Sequence, residues 1–313
     1  MPPRLSIVVL ITFSLKPVRL APTAQQCFDA ATGAKIWSVP TGGKAQQYQA
    51  SSPAVYGDTI LFGSLDGNLK AVRAIDGAPV WQYSTGGTIY SSPHIGLESA
   101  APGAKTLACI GTDAGGLHVV EAATGAPRWI KNTGAYVRGS CTFLTDAAVN
   151  NGSSIVYFGS NARHVYAVDA MTSLQLWIFT TPGGDDYATP ALHTFANGTI
   201  TLFVSCYDYN VYALDALSGA VRWSFATVGY VIATPLIYTL PSTGQARLYV
   251  GCDTTVSESF VYQLDASSGA QIAQAYVENA PVWSAARAVT IAATKQTLIM
   301  VGDQTGNVWA YYP

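Results

Sequence analysis

DAATGAKIW (residues 29–37), AIDGAPVW (74–81), EAATGAPRW (121–129), DAMTSLQLW (169–177), DALSGAVRW (215–223) and DASSGAQIA (265–273) are copies of one phrase. Its last column steps by 44, 48, 48, 46 and 50 residues and ends on Ala273 instead of tryptophan. A period in the forties, with short strand patterns between turn residues, specifies stacked four-stranded units and not a helical solenoid. In the unit read from Tyr48 to Gly87, strands cover 49–55, 59–63, 69–74 and 79–83, and Asp66-Gly67 is a hairpin signal. The fold class expected is all-β: a β-propeller of four-stranded antiparallel blades.

The ends of the chain complement each other. Residues 26–39 supply an outer strand without three inner ones, while residues 281–311 supply three strands without an outer one. Pairing them gives six blades and leaves no open sheet edge; an incomplete seven-bladed ring is the alternative. Residues 1–25 are set apart as a signal-like or non-native segment, and residues 26–313 as the propeller. The apolar run at 5–15 resembles the core of an export signal and is too short to span a membrane.

Charged residues make up 11% of the chain and the formal net charge is −2, so it lacks the basic footprint of a nucleic-acid binder. The five cysteines (Cys27, Cys109, Cys141, Cys206, Cys252) form no C-x-x-C pair and read as buried free thiols. That slightly favours a reducing, cytoplasmic compartment, with secretion through residues 5–15 as the alternative. The four histidines show no metal-ligand spacing.

The tryptophan four residues past each turn glycine is expected to wedge against the neighbouring blade, its indole N–H donating to a backbone carbonyl. The blade ending in Ala273 should then have the loosest interface. A second column, Asp66, Asp113, Asn161, Asp208, Asp253 and Asp303, reads as hairpin residues satisfying backbone N–H groups. Ser64, Thr112, Ser160, Cys206 and Cys252 share one register, without an acid or base partner.

These phrases, with the Ser-Ser-Pro and Ala-Thr-Pro inner strands (51–53, 91–93, 188–190, 233–235), resemble the PQQ-like repeat of the quinoprotein alcohol dehydrogenase-like superfamily. The resemblance covers nearly the whole chain, about residues 26–312. Within that superfamily it is most like the C-terminal propeller of the β-alanine-activating enzyme; the bacterial outer-membrane assembly propeller is similar in grammar. Quinone catalysis in this superfamily implies adjacent disulfide-bonded cysteines, a stacked tryptophan and Ca²⁺ held by Glu, Asn and Asp. No two cysteines are adjacent here. A fold hosts many functions, so the site must decide.

Just ahead of the Ser-Ser-Pro column stand Ala50, Tyr90, Arg138, Tyr187, Ile232 and Trp283, preceded by Gln49, Ile89, Val137, Asp186, Val231 and Val282. Aromatic residues and arginine are enriched at recognition surfaces. Tyr90, Arg138, Asp186, Tyr187 and Trp283 are therefore the candidate binding residues for a protein partner or small ligand at a channel mouth, with Asp185 and Asp186 offering an anchor to a basic group. No catalytic residue, metal or cofactor is expected. The function expected is a non-catalytic binding scaffold, possibly a detached module of an adenylate-forming enzyme, with a quinone-dependent dehydrogenase as the alternative.

Overall fold

The computed structural model describes residues 7–10, 24–42, 51–183, 188–254, 258–278, 282, 284–291, 294, 296–303 and 307–313. The described strands form seven antiparallel sheets, five of four strands and two of three. Contacts divide the chain into two compact units, Met1–Ser154 with Ala170–Ser173, and Ile155–Asp169 with Leu174–Pro313.

The first unit holds β1 (Ile7–Leu10), β2 (Ala24–Asp29) and β3 (Lys35–Pro40). Next come β4 (Ala54–Tyr56), β5 (Thr59–Gly63), β6 (Asn68–Arg73) and β7 (Pro79–Ser84), then β8 (His94–Leu97), β9 (Thr106–Thr112), β10 (Gly116–Glu121), β11 (Pro127–Asn132) and β12 (Thr142–Leu144). The second unit holds β13 (Ile155–Ser160), β14 (His164–Asp169) and β15 (Gln175–Thr180), followed by β16 (Ala191–Thr194), β17 (Ile200–Ser205), β18 (Asn210–Asp215) and β19 (Val221–Ala226). It ends with β20 (Leu236–Thr239), β21 (Ala246–Cys252), β22 (Glu258–Asp265), β23 (Gln271–Glu278), β24 (Arg287–Thr290), β25 (Thr297–Gly302) and β26 (Val308–Tyr311). Second and third strands of each blade are the most apolar and the most buried; β13, for example, is buried along its whole length.

The repeated phrase is a turn with a mechanism. Asp29 Oδ1 accepts from the amides of Ala31 (3.1 Å) and Thr32 (2.7 Å) and from the Thr32 hydroxyl (2.7 Å). Asp215 does the same with Leu217 and Ser218, and Asp265 with Ser267 and Ser268. The glycine that follows takes a left-handed φ of 70–75° at Gly33, Gly77, Gly125, Gly219 and Gly269, which side chains disfavour. Ser173 holds that place in the fourth copy at φ 61°.

The tryptophan wedge is present as expected. Within the first unit, Trp37, Trp81 and Trp129 donate their indole N–H to the carbonyls of Ala74 (2.8 Å), Ala122 (3.2 Å) and Ala170 (2.7 Å). Within the second, Trp177 and Trp223 donate to Ala216 (2.9 Å) and Ala266 (3.2 Å). Each acceptor belongs to the turn of the next copy, so every lock joins consecutive copies of the phrase. The same turn's glycine lies against the ring: a Cβ on Gly77 would approach Trp37 to 2.9 Å, and one on Gly269 would approach Trp223 to 2.7 Å. At Gly77, Gly125, Gly219 and Gly269 the glycine thus serves twice, for its φ and for the ring.

A bulge aims these side chains. In every outer strand one residue is skipped immediately before the final column, as where Ala71 pairs Trp81 but Val72 pairs Pro79. The shift recurs between Cys27 and Phe28, Val119 and Val120, Ala167 and Val168, Ala213 and Leu214, and Gln263 and Leu264. Bulges of this kind redirect a side chain and increase local twist.

In the first unit β3 pairs with β2, whose other neighbour is β1; in the second, β26 pairs with β25. The reading of the first segment is corrected. The segment 1–25, read as contributing no strand, supplies β1, which pairs Ile7–Leu10 with residues 26–29. A short apolar run satisfies the periodicity of a strand as well as that of an export signal.

The cysteines were expected to be free, yet Cys109 and Cys141 form a disulfide with a Cα–Cα distance of 6.5 Å. They stand 32 residues apart, on β9 and just ahead of β12, which lies beside β8 in the first unit. No sequence spacing signals that contact. Cys27, Cys206 and Cys252 are buried and carry no disulfide.

Candidate functional site

The register around the Ser-Ser-Pro column alternates between packing and surface. Ile89, Val137, Val231 and Val282 are almost wholly buried. A Cβ on Gly63, Gly111 or Gly251 would collide with Ile89, Val137 or Val282, so these branched residues fill a gap that only glycine leaves. The serines that follow bind backbone. Ser91 Oγ accepts from Gly111 N (2.8 Å) and donates to Gly111 O (2.9 Å), and Ser284 repeats this with Gly302.

One residue between packing and serine is left to face outward, and Arg138 occupies that place. Its guanidinium donates Nε and Nη2 to the two carboxylate oxygens of Asp113, both at 2.8 Å. The Arg138 Cζ lies 5.1 Å from the Tyr90 ring centroid and 4.7 Å from that of Tyr136. A forked ion pair and two ring faces fix the guanidinium plane. Tyr136 remains 46% exposed.

Of the expected site residues, Tyr90 and Arg138 are therefore brought together. Asp186, Tyr187 and Trp283 lie outside the described residues. The sequence reading missed Tyr136 and the pairing role of Asp113. Asp66, Asp208 and Asp303 do behave as hairpin residues, accepting from the amides of Asn68, Asn210 and Asn307, and Asp113 was read with them. Tyr136 had a signal: Tyr230 stands at the same place in its own blade, where it packs 4.7 Å from Tyr207 and 4.8 Å from Tyr209.

The register of Ser64, Thr112, Ser160, Cys206 and Cys252 is buried throughout. Ser64 Oγ donates to Thr41 O, and Cys206 Sγ to Gly183 O at 3.4 Å, so small polar atoms here hold neighbouring loops. Burial raises the Cys252 thiol, with the Phe260 backbone opposing it; a thiol held protonated is a poor nucleophile.

Quinone chemistry in this superfamily uses adjacent disulfide-bonded cysteines and a Ca²⁺ donor set, an arrangement not found among the described residues. The disulfide joins cysteines 32 apart, not adjacent ones, and no group of three His, Cys, Asp or Glu among the described residues is placed to hold a metal ion. No described helix is long and apolar enough to cross a membrane.

Comparison with known proteins follows the geometry. The family described as "Outer membrane protein assembly factor BamB" matches residues 21–94, 85–227 and 161–313. Comparison with curated protein sequences found no match. Among solved structures, BamB from Moraxella catarrhalis is 20% identical with a TM-score of 0.65, over 93% of this chain and 77% of that one. A europium-containing methanol dehydrogenase is 14% identical with a TM-score of 0.64, over 99% and 81%. Sqt1 from Saccharomyces cerevisiae is 12% identical with a TM-score of 0.70, over 93% and 79%. At these identities the likeness is one of fold, and it spans proteins of unlike kinds.

Proposed function

The chain belongs to the PQQ-like repeat family described as outer membrane protein assembly factor BamB, and on that premise we propose that it is a binding scaffold that receives a protein partner on the surface around Arg138. The observation that carries this reading is the fixed guanidinium between Tyr90 and Tyr136. Arginine and tyrosine held rigid before binding lose little entropy when a partner docks, and such residues dominate interface energetics. Asp113 already neutralises Arg138, so the partner's contribution is aromatic stacking and hydrogen-bond acceptors, not a bare negative charge.

The disulfide supports an oxidising compartment. Kinship with the β-alanine-activating enzyme rests on the blade phrases alone; a transcript joining an adenylation domain to this chain would support it.

A photo-crosslinking residue at Tyr136, expressed in the native cell, tests the scaffold. The expected result is a discrete adduct, absent when the same residue replaces Val55, which is 64% exposed and belongs to another blade. Equal labelling at the two positions would count against a site at Arg138.

A further inference from the structure

Cross-strand rows ending in the final column reveal a second feature. From second strand to outer strand they read Leu61–Ala71–Trp81, Cys109–Val119–Trp129, Tyr157–Ala167–Trp177 and Phe203–Ala213–Trp223. A large outer residue sits beside a small middle one. In β21, β22 and β23 the row is Tyr249–Gln263–Ala273, with the sizes exchanged. The bulge that aims the final column is still present, between Gln263 and Leu264. Position 273 is therefore delivered as the tryptophans are, but carries only a methyl group.

Gln263 does not refill the space. Its Nε2 turns to donate to Tyr249 Oη at 2.9 Å. A cavity of about 380 Å³ remains, walled by Tyr249, Gln263, Ala273, Ala310, Tyr311 and Tyr312 among others, and no lining residue is charged. Ala273 and Gln274 are exposed, so the space opens to solvent on that side. The Tyr311 hydroxyl is buried without a hydrogen-bond partner among the described residues. Burial raises the pKa of both Tyr249 and Tyr311, so both are neutral phenols at pH 7.

We propose that this slot binds a small neutral aromatic molecule, indole-like in size, carrying one hydrogen-bonding group. Five tryptophans of this same chain show what the equivalent place takes in the other blades: a flat ring with one N–H directed to an oxygen. At Ala273 the ring must come from outside. The volume lies within the range of small-ligand pockets, roughly 300–1,000 Å³. Cavities left by truncating one buried side chain are known to take aromatic guests. Tyr311 Oη supplies the polar anchor. The slot shares no residue with the Arg138 surface and stands or falls independently of it.

Indole itself is the probe. Titrated against the full chain, it is expected to raise the melting temperature and to give saturable one-to-one binding by calorimetry. Ala273→Trp should raise the melting temperature without ligand and abolish the indole response. Tyr311→Phe keeps the ring and the fold, and should weaken indole roughly three- to ten-fold. No binding up to the solubility limit of indole would overturn the proposal. So would equal binding by the wild-type chain and by both variants.

Discussion

At the scale of the residue, Arg138 shows what one sequence can and cannot reveal. Its place was legible because a charge stood out in a column of aromatic and apolar residues. Its state was not, because Asp113 lies 25 residues away and resembles neighbours that only shape hairpins. The pair bears on any test of binding. Arg138→Ala removes a forked, three-quarters buried ion pair, so it should cost about 1–2 kcal/mol and lower the melting temperature by a few degrees. Tyr136→Ala removes an exposed ring and should change stability by about 0.5 kcal/mol or less. Thermal melts of the two variants check this; a larger loss at Tyr136 would make it a packing residue. The cleaner probe of recognition is therefore Tyr136.

Elements follow the tryptophan column. The turn, the bulge and the lock are one device: Asp caps the turn, glycine makes room for the ring, and the bulge points the ring at the next turn. The column and its period were legible because each copy repeats the same chemistry. The bulge was not, since an inserted residue such as Val80 looks like any other strand residue. Trp177→Ala should cost about 3–5 kcal/mol, read from denaturant melts, while Trp177→Phe should cost markedly less.

The disulfide was illegible for a different reason: its partners meet only through the docking of strands, with no local pattern. Under denaturing, non-reducing conditions, thiol titration should count three thiols among the five cysteines. Five titratable thiols would remove the Cys109–Cys141 bond and the compartment argument built on it.

For the whole molecule, charge is sparse and burial decides the response to pH. Burial lowers the imidazole pKa of His94, His118 and His193 below the ordinary 6.5. Once the pH falls through about 6.5, the unfolded chain binds protons that the folded chain refuses. Their stabilising contribution is complete above that pH and is lost progressively as pH falls towards the depressed folded values. Asp76, whose carboxyl Arg73 holds at about 2, titrates well below pH 5. Melting temperature should thus decline from pH 7.5 to pH 5; a flat or rising profile would mean that these histidines are not held neutral.

A tryptophan lock secures the outer strands β3, β7, β11, β15 and β19, and its loss at Ala273 leaves β23 unsecured. Amide hydrogen exchange tests this directly by comparing β23 with β19, two outer strands of equivalent place in consecutive blades. Amides of β19, locked by Trp223, are expected to exchange slowly, and those of β23 far faster. Protection in β23 equal to that in β19 would contradict it, because the blades would then be held by something other than the indole.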